Sequence, residues 1–269
     1  MSQRIVTAAT RVVFMIGTPI AQVRSPLLFN TYFAEHGIDR VMVPLEVSVA
    51  ALDGFVAMVR EAENCDGFVA TLPHKRALLK LVDEAGPTAR ALESVNAVRR
   101  NPDGRLFGDM ADGAGFWNGA RGAGFEPFGK AAVLAGAGAA GTAIAFEFAQ
   151  RGGRKLAIWS RSGDEVDALV SRLAGTGIEV SSGMPDDLGG YDMAINATPL
   201  GMDYAPGTAF SPEQVASLPA GAIAADAITE PAETIFLGAA RARGLRTIDG
   251  RAMARGQFEL LRAFVAPDE

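Results

Sequence analysis

Three glycines near the middle of the chain have the spacing of a turn that binds a dinucleotide. Residues 131–135 are a short apolar run, and Gly136-x-Gly138-x-x-Gly141 follows and leads into a helical pattern over residues 142–151. In such a turn the first glycine makes the bend, the second admits a pyrophosphate, and the third lets the helix pack on its strand. The helix N-terminus then offers N–H groups and a positive dipole end to the phosphates. The alternative is a small-residue helix–strand contact, but the flanking strand and helix favour a cofactor site.

The end of the next predicted strand, residues 155–159, indicates which cofactor this is. It is followed by Ser160, Arg161 and Ser162. NAD-specific folds usually place an acidic residue there to bind the ribose 2′-hydroxyl, so serine and arginine favour a 2′-phosphate and hence NADP. A plain surface charge is the alternative for Arg161. Because two acidic residues follow at positions 164 and 165, NAD stays possible.

Lys75 and Asp112 follow two other predicted strands. Residues 68–72 lead into Pro73-His74-Lys75, and residues 106–110 arrive at Asp112-Gly113. A cation just inside a helix start is poorly placed for the helix dipole, so Lys75 is either a solvated surface charge or a functional group. For Asp112 the alternative is a cap on a helix over residues 114–121.

Strand-like and helix-like segments alternate along the chain, which is typical of a wound α/β architecture. A turn at residues 101–104 predicts a hairpin, because Asn-Pro-Asp-Gly is typical turn sequence. At the start of the helix that begins near residue 25, Ser25 as N-cap and Pro26 at the first helical position would explain that dipeptide without any function. The other predicted strands cover residues 12–16, 41–45, 193–195, 222–225 and 246–248, and a last helix covers residues 253–265.

Composition narrows the class of protein. With 269 residues the chain is long enough for two domains, and a formal charge of −6 argues against nucleic acid and anionic membranes as partners. One cysteine and two histidines argue against a disulfide framework and a metal site. No apolar run reaches membrane-spanning length, and residues 1–11 lack the apolar stretch of a signal peptide. We therefore expect a cytoplasmic protein without a metal.

Taken in order, the motifs resemble the shikimate dehydrogenase family over almost the whole chain. No single motif is decisive, but eight in the family's order are specific. They are Gly17-Thr18-Pro19-Ile20 with Ser25-Pro26, Thr71-x-Pro73-x-Lys75, Val95-Asn96, Asp112-Gly113-x-Gly115, the glycine turn, Ser160-Arg161-Ser162, residues 196–202, and Gly250-x-x-Met253-x-x-x-Gln257.

The resemblance implies an α/β protein with an N-terminal substrate domain at residues 1–112 and a Rossmann-type dinucleotide-binding domain at residues 113–248. A C-terminal helix at residues 249–269 would return to the first domain. The active site would lie in the cleft between the domains, with the alcohol carbon giving a hydride to the nicotinamide while a base takes the hydroxyl proton.

The same resemblance implies the roles of individual residues. Lys75 would be the general acid/base and Asp112 its partner. Ser25, Thr71, Asn96 and Gln257 would contact the substrate. The cofactor would be bound by Gly136, Gly138, Ala139, Ala140, Gly141, Ser160, Arg161, Ser162, Asn196, Ala197, Thr198, Met202, Gly250 and Met253.

Several positions depart from the family pattern. Val23 replaces the first serine of Ser-x-Ser, and Thr229 replaces a tyrosine, both of which grip the substrate carboxylate in the family. Val69, Met110 and Ala111 replace an asparagine and an Asn-Thr pair. Because each lost hydrogen bond to a charged group costs about 1.5–3 kcal/mol, two losses would lower kcat/KM for shikimate by roughly 10²- to 10⁴-fold. We therefore hypothesise that dehydrogenase chemistry is retained while carboxylate recognition is altered.

The leading interpretation is an NADP-dependent oxidoreductase that interconverts 3-dehydroshikimate and shikimate or acts on a related cyclic polyhydroxy acid. An NAD-preferring quinate/shikimate dehydrogenase is one alternative. A catalytically weak cofactor-binding protein is the other, although a pure binder has no need for both Lys75 and Asp112. We expect a monomer or homodimer whose partner is its small-molecule substrate.

Overall fold

The computed structural model describes residues 6–267. Residues 1–5, which belong to the N-terminal segment expected not to be a signal peptide, and residues 268–269 lie outside the described residues. The chain forms two compact units: unit 1 comprises Met1–Ala111 with Phe258–Glu269, and unit 2 comprises Asp112–Gln257. Both units combine strands with helices, so the predicted α/β class is confirmed. No helix within residues 6–267 is long and apolar enough to cross a membrane.

Unit 1 is built on a mixed sheet in which the strands β2, β1 and β3 run parallel. The hairpin β5–β6 continues this sheet antiparallel to β3, and the short β4 pairs with β6 at the edge. The turn of the hairpin includes Gly104 at φ +81°, as its sequence predicted. In order, the elements are β1 (Arg11–Gly17), α1 (Ser25–Glu35), β2 (Arg40–Glu46), α2 (Leu52–Glu61), β3 (Cys65–Ala70), α3 (Lys75–Leu78), β4 (Glu84–Ala85), α4 (Pro87–Leu92), β5 (Ala97–Arg100) and β6 (Leu106–Asp109).

Unit 2 is a parallel sheet in the order β12-β11-β10-β7-β8-β9, with every neighbouring pair parallel. This is the strand order of the doubly wound dinucleotide-binding fold, and the order reverses between β7 and β10. In order, the elements are α5 (Asp112–Gly122), β7 (Ala131–Ala135), α6 (Ala139–Gln150), β8 (Lys155–Trp159), α7 (Gly163–Leu173), β9 (Glu179–Ser182), β10 (Met193–Asn196), α8 (Pro212–Ser217), β11 (Ile223–Asp226), α9 (Ile235–Ala242), β12 (Arg246–Ile248) and the first part of α10 (Gly250–Val265).

The central strand β7 shows why its sequence is apolar without interruption. Ala132 and Leu134 belong to one hydrophobic core, whereas Ala131, Val133 and Ala135 belong to another. Successive side chains of a strand point to opposite faces, and both faces of a parallel sheet are covered. The strand is therefore buried on both sides, and its carboxyl end holds the glycine turn at the point where the strand order reverses.

The end of α10 belongs to unit 1. Leu261 and Val265 lie in the same core as Val13 and Phe29. The boundary between the units falls inside the helix, after Gln257.

Four short elements were not predicted from the sequence, namely β4, α4, β9 and α8. β9 is mostly exposed and polar, so it lacks an apolar pattern. The helix α8 has only six residues, too few to show a periodic apolar pattern. It starts with a capping box between Ser211 and Gln214, which was the local signal available in the sequence. Two predicted helices also begin earlier than expected. The helix α6 begins at Ala139 instead of residue 142, and α10 begins at Gly250 instead of residue 253.

Candidate active site

The carboxyl ends of β1 and β3 lie side by side in unit 1. The backbone N–H of Thr71 donates to the Ile16 carbonyl at 2.9 Å, and the N–H of Thr18 donates to the Leu72 carbonyl at 3.0 Å. An ideal Cβ at Gly17 would lie 2.3 Å from Cγ2 of Thr71, so only glycine permits this approach. The two motif loops that follow these strands therefore lie next to each other, at the carboxyl-end edge of the sheet.

Lys75 and Asn96 join Thr71 at this edge. Lys75 is half-buried and is the first residue of α3, and its carbonyl accepts from the N–H of Val95 at 2.8 Å. Asn96 is buried, and its Oδ1 accepts from the N–H of Ala111 at 2.9 Å. Its carbonyl also accepts from the N–H of Ala70 at 2.8 Å. Three of the predicted site residues of unit 1 thus come from adjacent segments.

Ser25 does not cap its helix as the non-functional alternative supposed. It is itself the first residue of α1, and Arg24 occupies the N-cap position without a side-chain capping hydrogen bond. Pro26 is consequently the second helical residue. That capping explanation was wrong, and Ser25 is a half-buried residue just after the loop from β1.

Four of the five positions that depart from the family pattern, all except Thr229, are apolar packing positions in unit 1. Val69 is buried in the core of the unit, and Val23 and Ala111 pack against that core. Met110 is also buried. These apolar side chains offer no hydrogen-bonding groups where the family pattern has polar residues.

Asp112 and Gln257 meet in unit 2. The Gln257 Nε2 donates to Oδ1 of the buried Asp112 at 2.8 Å. Asp112 is the first residue of α5, two residues before the start that the sequence predicted, so it is not a cap outside a helix over residues 114–121. The sequence placed both residues in the site, and the fold brings them into contact.

The two glycines of the Asp112-Gly113-x-Gly115 motif permit that contact. A Cβ at Gly115 would lie 1.8 Å from Cγ of Gln257, and a Cβ at Gly113 would lie 2.2 Å from the carbonyl oxygen of Ala143. Both faces of the first turn of α5 are therefore in closer contact with α10 and α6 than any larger residue would allow.

The glycine turn after β7 has the predicted geometry. Gly136 has φ +107°, in the left-handed region that favours glycine, and its N–H donates to the Trp159 carbonyl at 2.6 Å. A Cβ at Gly141 would lie 2.0 Å from the Gly136 carbonyl oxygen, whereas a Cβ at Gly138 would meet nothing within 4 Å. The turn thus needs its first and third glycines for its own packing and keeps open space at the second.

The three residues after β8 differ in their surroundings. The Ser162 hydroxyl accepts from the N–H of Glu165 at 3.3 Å and caps α7. Ser160 is half-buried, and Arg161 is exposed. Because Gly136 bonds to Trp159 at the end of β8, this segment lies beside the glycine turn.

Two polar residues that sequence reasoning missed, Asp226 and Thr234, organise the loops after β10 and β11. Asn196, Asp226 and Thr234 are all buried, and Asn196 and Thr234 each donate a hydrogen bond to the Asp226 carboxylate. Burial raises the pKa of Asp226 to about 6, although hydrogen bonds from Ile228, Thr234 and Asn196 lower it. An acidic residue at the end of a buried apolar strand was the signal available in the sequence.

The remaining predicted cofactor residues lie around these loops. Ala197 and Thr198 face the turn, since a Cβ at Gly136 would lie 2.8 Å from the Ala197 carbonyl carbon and 3.0 Å from the Thr198 nitrogen. The N–H of Met202 donates to the Pro199 carbonyl at 3.0 Å, which closes a turn after β10. Ala139 and Ala140 open α6, Gly250 opens α10, and Met253 is buried in the core of unit 2. Between residues 6 and 267, no group of three or more His, Cys, Asp or Glu residues is arranged to hold a metal.

The strand order of unit 2 and its glycine turn define a dinucleotide-binding α/β protein. The family model of the shikimate dehydrogenase substrate binding domain matches residues 15–98. A shikimate dehydrogenase (NADP(+)) of Rubrobacter xylanophilus is 37% identical over 274 residues, which cover 100% of this chain and 95% of the relative. The chain belongs to the shikimate dehydrogenase family, so the resemblance stated from its motifs is confirmed.

Two solved structures share the whole fold. Shikimate 5-dehydrogenase from Listeria monocytogenes, in complex with shikimate and NAD, is 27% identical with a TM-score of 0.88, covering 99% of this chain and 95% of that chain. The ligand-free 5-ketofructose reductase of Gluconobacter sp. strain CHM43 is also 27% identical, with a TM-score of 0.83, covering 96% of this chain and 94% of that chain. The fold is therefore shared by enzymes named for different substrates.

Proposed function

We propose that this protein is an NADP-dependent oxidoreductase of the shikimate dehydrogenase type. It transfers a hydride reversibly between NADPH and 3-dehydroshikimate/shikimate or a related cyclic polyhydroxy acid. The single observation that carries the proposal is the 37% identity to a shikimate dehydrogenase (NADP(+)) over the whole chain. The contact between Asp112 and Gln257, two motif residues far apart in sequence, supports it.

The residues of unit 2 fit a nicotinamide dinucleotide. The open space at Gly138, beside the N-terminus of α6, leaves room for a pyrophosphate against free backbone N–H groups. The exposed Arg161 would bind the 2′-phosphate, for which a guanidinium offers paired donors. When bound, the nicotinamide supplies the site that accepts or gives the hydride. Ser162 and Asn196 would contribute by positioning, because their side chains are engaged within the protein.

Lys75 would act as the general acid/base. Its Nζ takes the proton of the substrate hydroxyl during oxidation and returns it during reduction. Asp112 would accept a hydrogen bond from a substrate hydroxyl. Gln257 holds Oδ1 of Asp112 and would present its own amide oxygen to the substrate. Ser25, Thr71 and Asn96 would complete the substrate contacts.

Within this activity, we propose that the carboxylate of shikimate is bound more weakly than in the family pattern. Val23 packs against the apolar core of unit 1 and offers no hydrogen-bond donor, and Thr229 has a shorter side chain than tyrosine. This favours a second candidate class of substrates, namely those without a carboxylate. A structural neighbour named 5-ketofructose reductase, whose keto sugar carries no carboxylate, supports this second candidate. The preferred substrate would then be a cyclic polyol or keto sugar with the same reacting hydroxyl.

The first test is steady-state oxidation of shikimate and quinate, each with NADP and with NAD. Wild type should turn over shikimate with NADP, and Lys75→Ala should lose at least about 10²-fold in kcat, the contribution of a general base. Lys80→Ala, which changes an exposed lysine of the same region, is the matched control. Unchanged turnover in Lys75→Ala would contradict the role of Lys75. No turnover with either cofactor, despite NADP binding, would contradict the acid substrates.

A second test addresses the carboxylate. Val23→Ser should raise kcat/KM for shikimate by about tenfold, since a regained hydrogen bond to a charged group contributes at least about 1.5 kcal/mol. The same variant should leave the rate on carboxylate-free polyols unchanged. A gain on both substrate classes, or on neither, would argue against altered carboxylate recognition.

We also infer where the protein lies in the cell, its oligomeric state and its domain limits. We infer a cytoplasmic location, where the NADP pool on which the reaction depends is available, and fractionation would test it. We infer a monomer or homodimer without nucleic acid as a partner, because the charge of −6 opposes binding to a polyanion. Light scattering would give the oligomeric state. Limited proteolysis would test the domain limits 1–112, 113–248 and 249–269.

A further inference from the structure

Three buried polar side chains form one hydrogen-bonded group at the ends of β10, β11 and the start of α9. Asn196 and Asp226 have no exposed surface, and Thr234 is 3% exposed. The Asn196 Nδ2 lies 3.2 Å from Oδ2 and 3.3 Å from Oδ1 of Asp226. The Thr234 hydroxyl donates to Oδ2 of Asp226 at 2.8 Å. Asp226 is the central acceptor of this group.

Each member also fixes a piece of backbone. Asn196 Oδ1 accepts from the N–H and the hydroxyl of Thr198, at 3.0 and 2.7 Å, and Asn196 Nδ2 donates to the Leu200 carbonyl at 3.0 Å. Asp226 Oδ1 accepts from the N–H of Ile228 at 2.9 Å. The group therefore ties the loop after β10 to the loop after β11.

The loop after β11 is in turn attached to α10. The N–H of Gly250 donates to the Ile228 carbonyl at 3.0 Å, and a Cβ at Gly250 would lie 2.4 Å from that oxygen. Thr234 closes the other end of the loop, since its hydroxyl accepts from the N–H of Leu237 and caps α9. The Asp226 carboxylate thus holds the loops after β10 and β11 and, through Ile228, the start of α10. The loop after β10 and the start of α10 both contain predicted cofactor residues.

These segments lie on one side of the switch point. In doubly wound folds the glycine turn and the neighbouring strand end bind the adenosine half of the cofactor. Here those are the turn after β7 and the end of β8. The other half of the sheet, β10 to β12, is left for the nicotinamide half.

We propose that Asp226 is a positioning residue for the nicotinamide half of the cofactor. It acts through Asn196, Ile228 and Thr234 by fixing the loops after β10 and β11. This inference rests on the proposed NADP-dependent function and goes beyond it in assigning the role.

The decisive experiment measures two affinities by calorimetry in wild type and Asp226→Asn. NADP probes both halves of the site, and adenosine 2′,5′-bisphosphate probes the adenosine half alone. In Asp226→Asn an NH₂ group replaces one carboxylate oxygen and faces groups that donate hydrogen bonds to that oxygen. The loops after β10 and β11 should therefore lose their fixed positions, and NADP binding should weaken about tenfold or more. Binding of adenosine 2′,5′-bisphosphate should stay within about twofold of wild type. Equal weakening of the binding of both ligands would indicate a general structural defect and would contradict a role limited to the nicotinamide half.

Asp249→Asn is the matched control. It removes a neighbouring carboxylate, while asparagine can still accept the helix-capping bond that Asp249 Oδ1 takes from Ala252 at 3.0 Å. It should bind both ligands like wild type. Circular dichroism would confirm that each variant is folded.

A second pair of variants keeps the inference testable if Asp226→Asn does not fold. Thr234→Val removes the hydroxyl, and Thr234→Ser retains it. NADP binding should weaken in the valine variant and be restored in the serine variant. If Asp226→Asn or Thr234→Val binds NADP as tightly as wild type, the role of Asp226 is overturned but the proposed function is not. A wild type that binds adenosine 2′,5′-bisphosphate but not NADP, or neither, would overturn the proposed function as well.

Discussion

Gln257 donates a hydrogen bond from Nε2 to Oδ1 of Asp112 at 2.8 Å, although 145 residues separate them in the chain. The contact depends on Gly115, where a Cβ would lie 1.8 Å from Cγ of Gln257. A buried carboxylate without its donors is costly, so this bond keeps Asp112 in one orientation. Two motifs that looked independent in the sequence are therefore one structural feature.

Removal of that donor should lower activity. In Gln257→Ala, Asp112 loses a hydrogen bond worth about 1.5–3 kcal/mol to a charged group, so kcat/KM should fall about 10- to 100-fold. Steady-state kinetics with the best substrate would measure it. Arg255→Ala changes an exposed residue of the same helix and should be neutral. Equal kinetics in Gln257→Ala and the control would mean that the bond has no role in catalysis.

The second and third glycines of the turn should respond in opposite ways to alanine. Gly138 has φ −70° and open space at its Cβ position, so Gly138→Ala should fold normally, yet its methyl group should obstruct the pyrophosphate and weaken NADP binding at least about tenfold. In Gly141→Ala the methyl group meets the Gly136 carbonyl, and overpacking of this kind costs about 1–3 kcal/mol. Urea denaturation and NADP titration of both variants would separate the effects. The idea fails if Gly138→Ala binds NADP normally.

The sequence predicted the parts of this protein that local patterns determine. The buried strands β7, β8 and β10 were found because their apolar runs end at glycine or polar residues. The contacts of Asp226 were missed because Asn196 lies on another strand, 30 residues away, and Thr234 lies eight residues further on, beyond an irregular loop.

Alternatives between a structural and a functional role were also decided by the fold. Ser25 and Asp112 both looked like possible helix caps, and the residue at which each helix begins determines whether that explanation holds. Helix ends are the least certain feature of a sequence pattern, because terminal residues lack the periodic contacts of the interior. Ser162, in contrast, does cap α7 in addition to lying at a predicted cofactor position.

Arg161 should determine which nicotinamide cofactor is preferred. Its guanidinium is exposed at the end of β8, where a 2′-phosphate would lie, and that contact is absent with NAD. Arg161→Ala should lower the ratio of kcat/KM for NADP to that for NAD about 10- to 100-fold, the loss of one charged hydrogen bond. Arg154→Ala, an exposed arginine before the same strand, should leave the ratio unchanged. A similar loss with both cofactors would show that Arg161 does not read the 2′-phosphate.

The buried Asp226 should make stability depend on pH in the acid range. Burial raises its pKa from 3.8 to about 6 in the folded protein, so between these values the folded state holds a proton that the unfolded chain has released. Stability from this group is therefore highest at low pH and falls as pH rises through this window. The free energy of unfolding of wild type, relative to Asp226→Asn, should decrease by up to about 3 kcal/mol from about pH 3 to about pH 7.

Urea denaturation of both proteins across this range would measure the difference, since the asparagine variant cannot titrate at this position. Asp249 raises the pKa of Asp226 further, so Asp249→Asn should move the midpoint of the effect to lower pH. A difference that stays constant with pH would show that Asp226 ionises as it does in the unfolded chain. A difference that grows with rising pH would mean that the hydrogen bonds from Ile228, Thr234 and Asn196 outweigh the desolvation of the carboxylate.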